Sequence, residues 1–401
     1  MRTMLLFDGL GGATGNLLPA LRGLRAGPEN AAFFDTVFRA LDEVADHLDP
    51  AERDRFGPAG LALRRWLDPG SPTPAGLPPN SVAEGICLHV HQACLLQPTR
   101  PADPGTVAAL GHSVGLLAAL LAGFRLRRPD EFLATAAACL RLVAVTLIRG
   151  QQAADGPPPT AEALAGYQSQ RGAPPGPMAA LTGLTDPELR ALLTGHQGAG
   201  GPLVVGLANA ARAHVLSGPT AALLDFHRAH ADGFARTGVT WVFLHNTIPF
   251  HSPALAPAAR RVTRDRALIG ELPGGDRLRL PVYATDAPRD LREAPDLVTE
   301  FLDQVLVRPI GWEAVIRYAV TDSAADRILD HGPGAAARRY AKECLRDHSR
   351  RIRFESVPQF SAAGVRGGQR AMSALSGPGR TTQGNGSGPV RAVPGNHRPG
   401  G

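Results

Sequence analysis

Short continuous apolar runs alternate with glycine-rich turns and longer helical stretches from the first residues onward. Residues 4–7 are a brief apolar run that stops at the turn Asp8-Gly9-Leu10-Gly11-Gly12. Asn16 then stands where it can cap a helix carrying Leu17, Leu18 and Leu21. Strand, glycine turn and helix in that order open an α/β layer. A mainly helical stretch follows over 31–67, then a Pro/Gly loop and a helix over 82–96. The opening pattern returns at 106–110, a second buried strand, with Gly111-His112-Ser113-Val114-Gly115 as its turn and an apolar helix over 116–124 behind it.

After a long helix over 129–152 and the breaker Gly156-Pro157-Pro158-Pro159, the rhythm changes. Strands at 178–181 and 212–216 alternate with helices at 186–193 and 220–230, which predicts a small inserted α+β subdomain over 163–240. A strand at 278–283, a helix at 296–307 and a strand at 327–330 resume the main layer before His331-Gly332-Pro333-Gly334. The chain therefore divides into an α/β core (1–162 and 241–357), the insertion (163–240), and a Gly/Ser/Pro/Arg-rich segment (358–401) with the composition of a disordered tail.

Composition narrows the functional classes. With 44% apolar and 19% charged residues, the 401-residue chain can bury a sizeable core, and its 46 glycines and 36 prolines show no three-residue period. The net charge of +6 shrinks once it is located, because Arg366, Arg370, Arg380, Arg391 and Arg398 all lie after residue 357, where there is no acid. A body near +1 offers no broad basic face, so no nucleic-acid partner is expected. Cys87, Cys94, Cys139 and Cys344 lack C-x-x-C spacing and read as reduced thiols of a cytoplasmic protein. The first apolar run is too short for a signal sequence. The apolar stretches 115–124 and 133–148 are stopped by Arg125 or interrupted by Arg141, short of the ~20 residues a membrane span needs, so no membrane partner is expected either.

Gly111-His112-Ser113-Val114-Gly115 fits G-x-S-x-G, in which a serine is held on a sharp strand-to-helix turn with its hydroxyl exposed at the sheet edge. Such a serine needs an imidazole to take its proton and two N–H groups aimed at the oxyanion of the tetrahedral intermediate. Val114 N–H at the helix start is one donor, and the turn Gly9-Leu10-Gly11 can supply the other. Two competing readings of that turn are a tight phosphate-binding loop and part of a dinucleotide fingerprint, of which G-x-G is only a portion. Thirteen histidines compete for the base, and the spacing alone does not choose. The run Cys87 to Cys94 contains His89 and His91, but a helix puts only Cys87, His91 and Cys94 on one face; core packing is the reading and no metal is expected.

Taken as ordered blocks, the chain to about residue 357 resembles the acyltransferase superfamily of malonyl-CoA:acyl carrier protein transacylases. It looks most like the acetyltransferase domain at the start of the β chain of fungal type I fatty acid synthases. The blocks are 6–12, 63–79 with Trp66 and Leu67, 111–116, 172–189 around Pro177-Met178, 207–219 with Asn209 and Ser217-Gly218-Pro219, 249–252 (Pro-Phe-His-Ser), 280–292 and 328–334. The resemblance implies an α/β-hydrolase-like core with a ferredoxin-like insertion. It also implies a Ser113–His251 catalytic pair and an oxyanion hole from the N–H groups of Leu10 and Val114. A backbone carbonyl near Ala284 or Thr285 would fix the His251 tautomer, with Asp286 the nearest carboxylate alternative, and His112 and Asn209 become substrate-pocket candidates.

Two departures bear on the acyl group. Leu10 stands where the resembling proteins carry glutamine, leaving its backbone donor intact but making the surroundings more apolar. Malonyl-transferring relatives hold the free carboxylate with an arginine on the helix after the nucleophile, whereas the fungal domain has an apolar residue there. One register puts Thr146 at that position and the other Arg149, otherwise a solvated helix-end cation. A short uncharged acyl group such as acetyl is favoured. The implied reaction needs no bound cofactor. A CoA thioester is the donor, the phosphopantetheine of an acyl carrier protein acting in trans is the acceptor, and other synthase subunits are partners. A thioesterase using the same pair, or a catalytically degenerate synthase scaffold, are the competing readings.

Overall fold

The computed structural model describes residues 1–357 apart from 12–13, 58–60, 69–76, 78–79, 101–102, 155–159, 165–166, 168–173 and 197–200. The tail predicted at 358–401 lies outside the described residues. Strands among the described residues are β1 (Thr3–Phe7), β2 (Thr106–Gly111), β3 (Met178–Thr182), β4 (Val204–Ala210), β5 (Ala213–Ser217), β6 (Thr240–Phe243), β7 (Ile310–Gly311), β8 (Arg327–Asp330) and β9 (Arg353–Ser356). They form two sheets.

The first sheet is parallel, in the order β2-β1-β8-β9. Every residue of β1 is buried, as a continuous apolar run must be when helices cover both faces of a parallel sheet. The Leu116–Gly123 helix packs on β1 and β2, and the Ser81–Leu95 and Ala31–His47 helices pack on the long Pro129–Ala154 helix. That helix is long and apolar enough to cross a membrane by length and composition, contrary to the sequence expectation. Arg141 does not interrupt it, because its guanidinium reaches sideways to the Ile269 carbonyl and the Glu43 carboxylate. In this fold 67% of its most apolar window is buried inside the chain's own core.

The second sheet runs β6-β3-β5-β4-β7. Strands β3 to β6, with the Asp186–Gly195 and Thr220–Thr237 helices, follow a β-α-β-β-α-β path, and the last strand of that path pairs with its first. This is the ferredoxin-like arrangement. Leu181, Leu189, Phe226 and Phe243 belong to a separate apolar cluster beneath these helices. The short β7, from the returning main chain, pairs parallel with β4, so the insertion's sheet extends past the 163–240 boundary.

Other elements differ from the sequence pattern for identifiable reasons. Residues 278–283 make only isolated bridges, Ala109 with Val282 and Tyr283 with Asp290, because Pro281 has no N–H to continue a ladder beside β2. β4, β6 and β9 have no counterpart in the apolar pattern; β4 contains Gly206 and Asn209, and β6 and β9 are four residues each. Asn16 lies inside the Thr14–Ala26 helix rather than capping it. The helix predicted over 296–307 is α-helical at Leu297–Leu302 and loosens into a π-type turn over Asp303–Val307, which wraps the site described next.

Candidate active site

Ser113 follows β2 at the carboxyl edge of the parallel sheet, in a left-handed conformation with φ of 53°. Few non-glycine residues adopt it, and here its neighbours impose it. A Cβ on Gly111 would collide with the backbone of Gly115 and Leu116, and one on Gly115 would lie 2.6 Å from the Asp8 carbonyl oxygen and 2.7 Å from that of Phe7. The motif's flanking glycines are thus required by close backbone approach between β1, β2 and the turn.

His251 meets the serine from a different part of the chain. Its Nε2 lies 2.8 Å from Ser113 Oγ, and its Nδ1 lies 3.1 Å from the Arg308 carbonyl. Since a carbonyl can only accept, Nδ1 carries the proton and Nε2 is left to accept from the hydroxyl. The carbonyl is therefore that of Arg308, and neither Ala284 nor Thr285 supplies it. The Ala284 N–H bonds the Arg289 carbonyl, the Thr285 N–H donates to the Gln304 side chain, and the Thr285 carbonyl accepts from Gly311 N–H. Asp286 serves no triad either. It pairs with Arg289 and with the Arg308 guanidinium, fixing from outside the residue whose carbonyl holds the imidazole.

The loop carrying His251 is braced throughout. Its own N–H donates to Val305 and that of Ser252 to Leu306, both near the π-type turn's end, while Ser217 Oγ donates to the Phe250 carbonyl. His251 also has a left-handed backbone, φ 59°. Burial lowers its pKa to about 4, a trend that nearby His112 reinforces and the Arg308 carbonyl opposes, so at neutral pH the ring is a neutral proton acceptor.

Two N–H groups face the requirement for an oxyanion hole. Val114 sits at the second position of the 3₁₀ turn Ser113–Gly115, ahead of that turn's first internal hydrogen bond. Leu10 N–H has no hydrogen bond among the described residues, although the N–H on each side of it does: Gly9 donates to Asp8 Oδ1 at 3.0 Å and Gly11 to Glu84 Oε1 at 2.8 Å. His112 is buried, bonds Asn209 Oδ1 through Nε2 at 2.9 Å, and lies edge-on to Trp312 with ring centroids 4.8 Å apart. His112 and Asn209 thus pin the Ser113 turn to β4 of the second sheet.

No protein-family model matches the chain. Solved structures with the same architecture include the malonyl-CoA:acyl carrier protein transacylase of Xanthomonas oryzae pv. oryzae, with a TM-score of 0.60 at 18% identity, covering 91% of this chain and 98% of that one. Another, from Synechocystis, gives 0.57 at 17%, covering 90% and 98%. A third is a malonyl-transacylase in complex with its type II polyketide synthase acyl carrier protein, 0.58 at 16%, covering 90% and 97%. The chain has the malonyl-CoA:acyl carrier protein transacylase fold. Curated relatives in sequence are the fatty acid synthase subunit beta of Saccharomyces cerevisiae, 25% identical over 312 residues, and that of Schizosaccharomyces pombe, 29% identical over 143. Those alignments take in 69% and 32% of this chain but span only 15% and 6% of the relatives' length.

Within this transacylase fold the two acyl-selectivity candidates separate. Arg149 is not a solvated cation: its side chain is 12% exposed, Nε is 2.8 Å from Asp265, and Nη1 is 2.7 Å from Glu52 and 3.1 Å from Gln152. Thr146 is fully buried on the same helix, its hydroxyl without a partner among the described residues. Gly150, one turn beyond Thr146, faces Ile248 and Leu306, neighbours of the His251 loop. The Cys87 to Cys94 run is wholly buried in the Ser81–Leu95 helix; burial brings His89 and His91 down to about 4.

Three contributors have no sequence motif. Arg308 acts through its backbone, which any residue type could supply. Gln304 is fully buried and bonds Thr285 and Glu300. Glu84 did leave a signal: it is the one carboxylate in the Ser81–Leu95 helix, whose residues from Ser81 to Cys94 are all buried.

Proposed function

We propose that the chain is an acyltransferase that takes a short, uncharged acyl group from a CoA thioester and passes it to the phosphopantetheine thiol of an acyl carrier protein. The carrying observation is the 2.8 Å contact of Ser113 Oγ with His251 Nε2 beside the N–H groups of Leu10 and Val114, which have no hydrogen-bond partner among the described residues. In the first half-reaction the Ser113 oxygen attacks the thioester carbonyl and its proton passes to Nε2. The two N–H groups stabilise the oxyanion, and CoA leaves as the thiol after taking that proton back. In the second, His251 deprotonates the carrier thiol, which displaces the acyl group from Ser113. The transacylase fold and the fungal synthase similarity support the donor and acceptor classes, with carrier and other synthase subunits acting in trans. The four free, buried cysteines suit a reducing, cytoplasmic setting.

The choice of an uncharged acyl group rests on Arg149. Its guanidinium is committed to Asp265, Glu52 and Gln152, and freeing it for a substrate carboxylate would break two ion pairs, leaving Asp265 to His47 and Glu52 to the Gln152 amide. A malonyl carboxylate entering without it would lose hydration uncompensated, at a cost of several kcal/mol. Intact-protein mass spectrometry after competition between acetyl-CoA and malonyl-CoA tests this. Acetyl-Ser113 is expected to dominate, and Arg149→Ala is expected to leave the ratio unchanged. Preferential malonyl loading that disappears in the variant would overturn the uncharged acyl group, and release of free acid without an acceptor thiol would favour a hydrolase.

A further inference from the structure

Leu10 N–H is the only N–H of the turn Gly9-Leu10-Gly11 left without a partner among the described residues, and its two neighbours are held by buried carboxylates. On one side Asp8 accepts from Gly9 and is itself fixed by the N–H groups of Ala336 and Ala337 at 3.1 and 3.0 Å. On the other, Glu84 accepts from Gly11, which has the left-handed φ of 91° open to glycine. A peptide unit is planar, so fixing the N–H on either side fixes the two flanking planes and leaves the plane bearing Leu10 N–H little freedom. Glu84 is 4% exposed and forms no ion pair among the described residues. Burying a carboxylate without a cation is costly, and its place in the first turn of the Ser81–Leu95 helix offsets only part of that cost. The next residue is Gly85, where a Cβ would approach Leu10 Cδ2 to 3.5 Å and collide with Leu147. The Glu84-Gly85 step therefore fits both the backbone and the side chain of the turn.

We propose that Glu84 is a positioning residue that aims the Leu10 oxyanion donor by accepting the Gly11 N–H. This role rests on the reading of Ser113 as an acylated nucleophile but not on the identity of its donor. What the role requires is an acceptor at Oε1, not a charge. A negative charge near a developing oxyanion is itself unfavourable, so a neutral acceptor should serve at least as well.

The test is pre-steady-state acylation by p-nitrophenyl acetate, an ester that needs neither CoA nor carrier. Ser113 Oγ bonds to the acetyl carbon, p-nitrophenolate leaves, and His251 holds the proton. Glu84→Leu is expected to lower the saturated acylation rate about 30- to 100-fold with KM within about twofold, at or below the roughly 10²- to 10³-fold cost of losing one oxyanion donor, because the Leu10 N–H is misaimed and not removed. Glu84→Gln, whose amide oxygen accepts the same N–H, is expected to match or exceed wild type. Glu84→Leu acylating like wild type, a loss expressed in KM, or an equal loss in Glu84→Gln each overturns the proposal. If Glu84→Leu does not fold, Glu84→Asp replaces it: the shorter arm withdraws the acceptor, and about a tenfold loss is expected where an unchanged rate overturns the role. Wild type acylated by the ester but by no CoA thioester overturns the transferase reading alone, since the variants are still compared on the ester. Wild type acylated by neither overturns both.

Discussion

The Ser113 turn and the His251 loop meet across 2.8 Å, yet different forces hold them. The turn is ten contiguous residues, strand β2 and the motif after it, and its strained φ follows from close backbone approach, Gly111 against Gly115 and Leu116 within the turn and Gly115 against Phe7 and Asp8 at the end of β1. The loop has no such local cause. Its equally strained histidine is held by Val305 and Arg308, and the flanking Ser252 and Phe250 by Leu306 and Ser217, all from distant segments. One half of the site is steric, with its required glycines inside one short motif, and the other is hydrogen-bonded to distant segments. A motif can therefore reveal the first and not the second.

The largest test of the pairing is removal of either partner. Ser113→Ala is expected to abolish acyl-enzyme formation, and His251→Ala to slow acylation by about 10³- to 10⁴-fold while the fold persists. Acylation by the His251 variant at the wild-type rate would dissolve the dyad, whatever its geometry.

The two kinds of support are then separable by paired substitutions. Gly115→Ala forces a Cβ against two carbonyl oxygens of the β1 end, and a destabilisation of about 2–4 kcal/mol is expected, read as a fall in Tm. Arg308→Ala leaves its carbonyl in the backbone and removes the ion pairs to Asp286, Glu300 and Asp303. A rate loss of less than about tenfold is expected, without a comparable fall in Tm. A larger loss from Arg308→Ala than from Gly115→Ala would reverse the contrast.

Titration sharpens it further. His89, His91, His251 and His331 are each lowered by burial to about 4, against 6.5 for an ordinary ring. The unfolded chain therefore binds protons that the folded chain refuses between these values. The stability these rings contribute is fully present above 6.5 and is lost as pH falls toward 4, each on the order of 1–3 kcal/mol. Asp330, raised by burial to about 6, works the other way: its contribution is present below 3.8 and is lost as pH rises through 6. Burial also raises Asp8 and Glu84, and it lowers His112, His214, His227 and His230. Eight lowered rings outnumber three raised carboxyls, so urea unfolding should show a net fall in stability from pH 6.5 to 4.5. Acylation measured over the same range should hold its rate until the pH nears 5, because His251 is still neutral there. A rate that halves near pH 6.5 would show that the ring is not buried as described.

Much of this was legible in the residues. The buried run of β1, the nucleophile motif between two glycines, and the alternation that marks the insertion all depend on neighbours within about a dozen positions, where period and turn chemistry act directly. Ordered blocks of resemblance reached His251, 138 residues from Ser113, where spacing could not. What only the tertiary structure decided has one physical character: it rests on groups every residue possesses, or on partners far away in the chain. The Arg308 carbonyl replaces Ala284 or Thr285 because the π-type turn, not the loop after Tyr283, passes beside the imidazole. Arg149 is committed to Asp265 and Glu52, 116 and 97 positions away, and no local pattern could show that its charge was already met. Glu84 stands as the one acid of the Ser81–Leu95 helix, but its partner is a backbone N–H 73 residues earlier, and a backbone donor leaves no mark in a sequence.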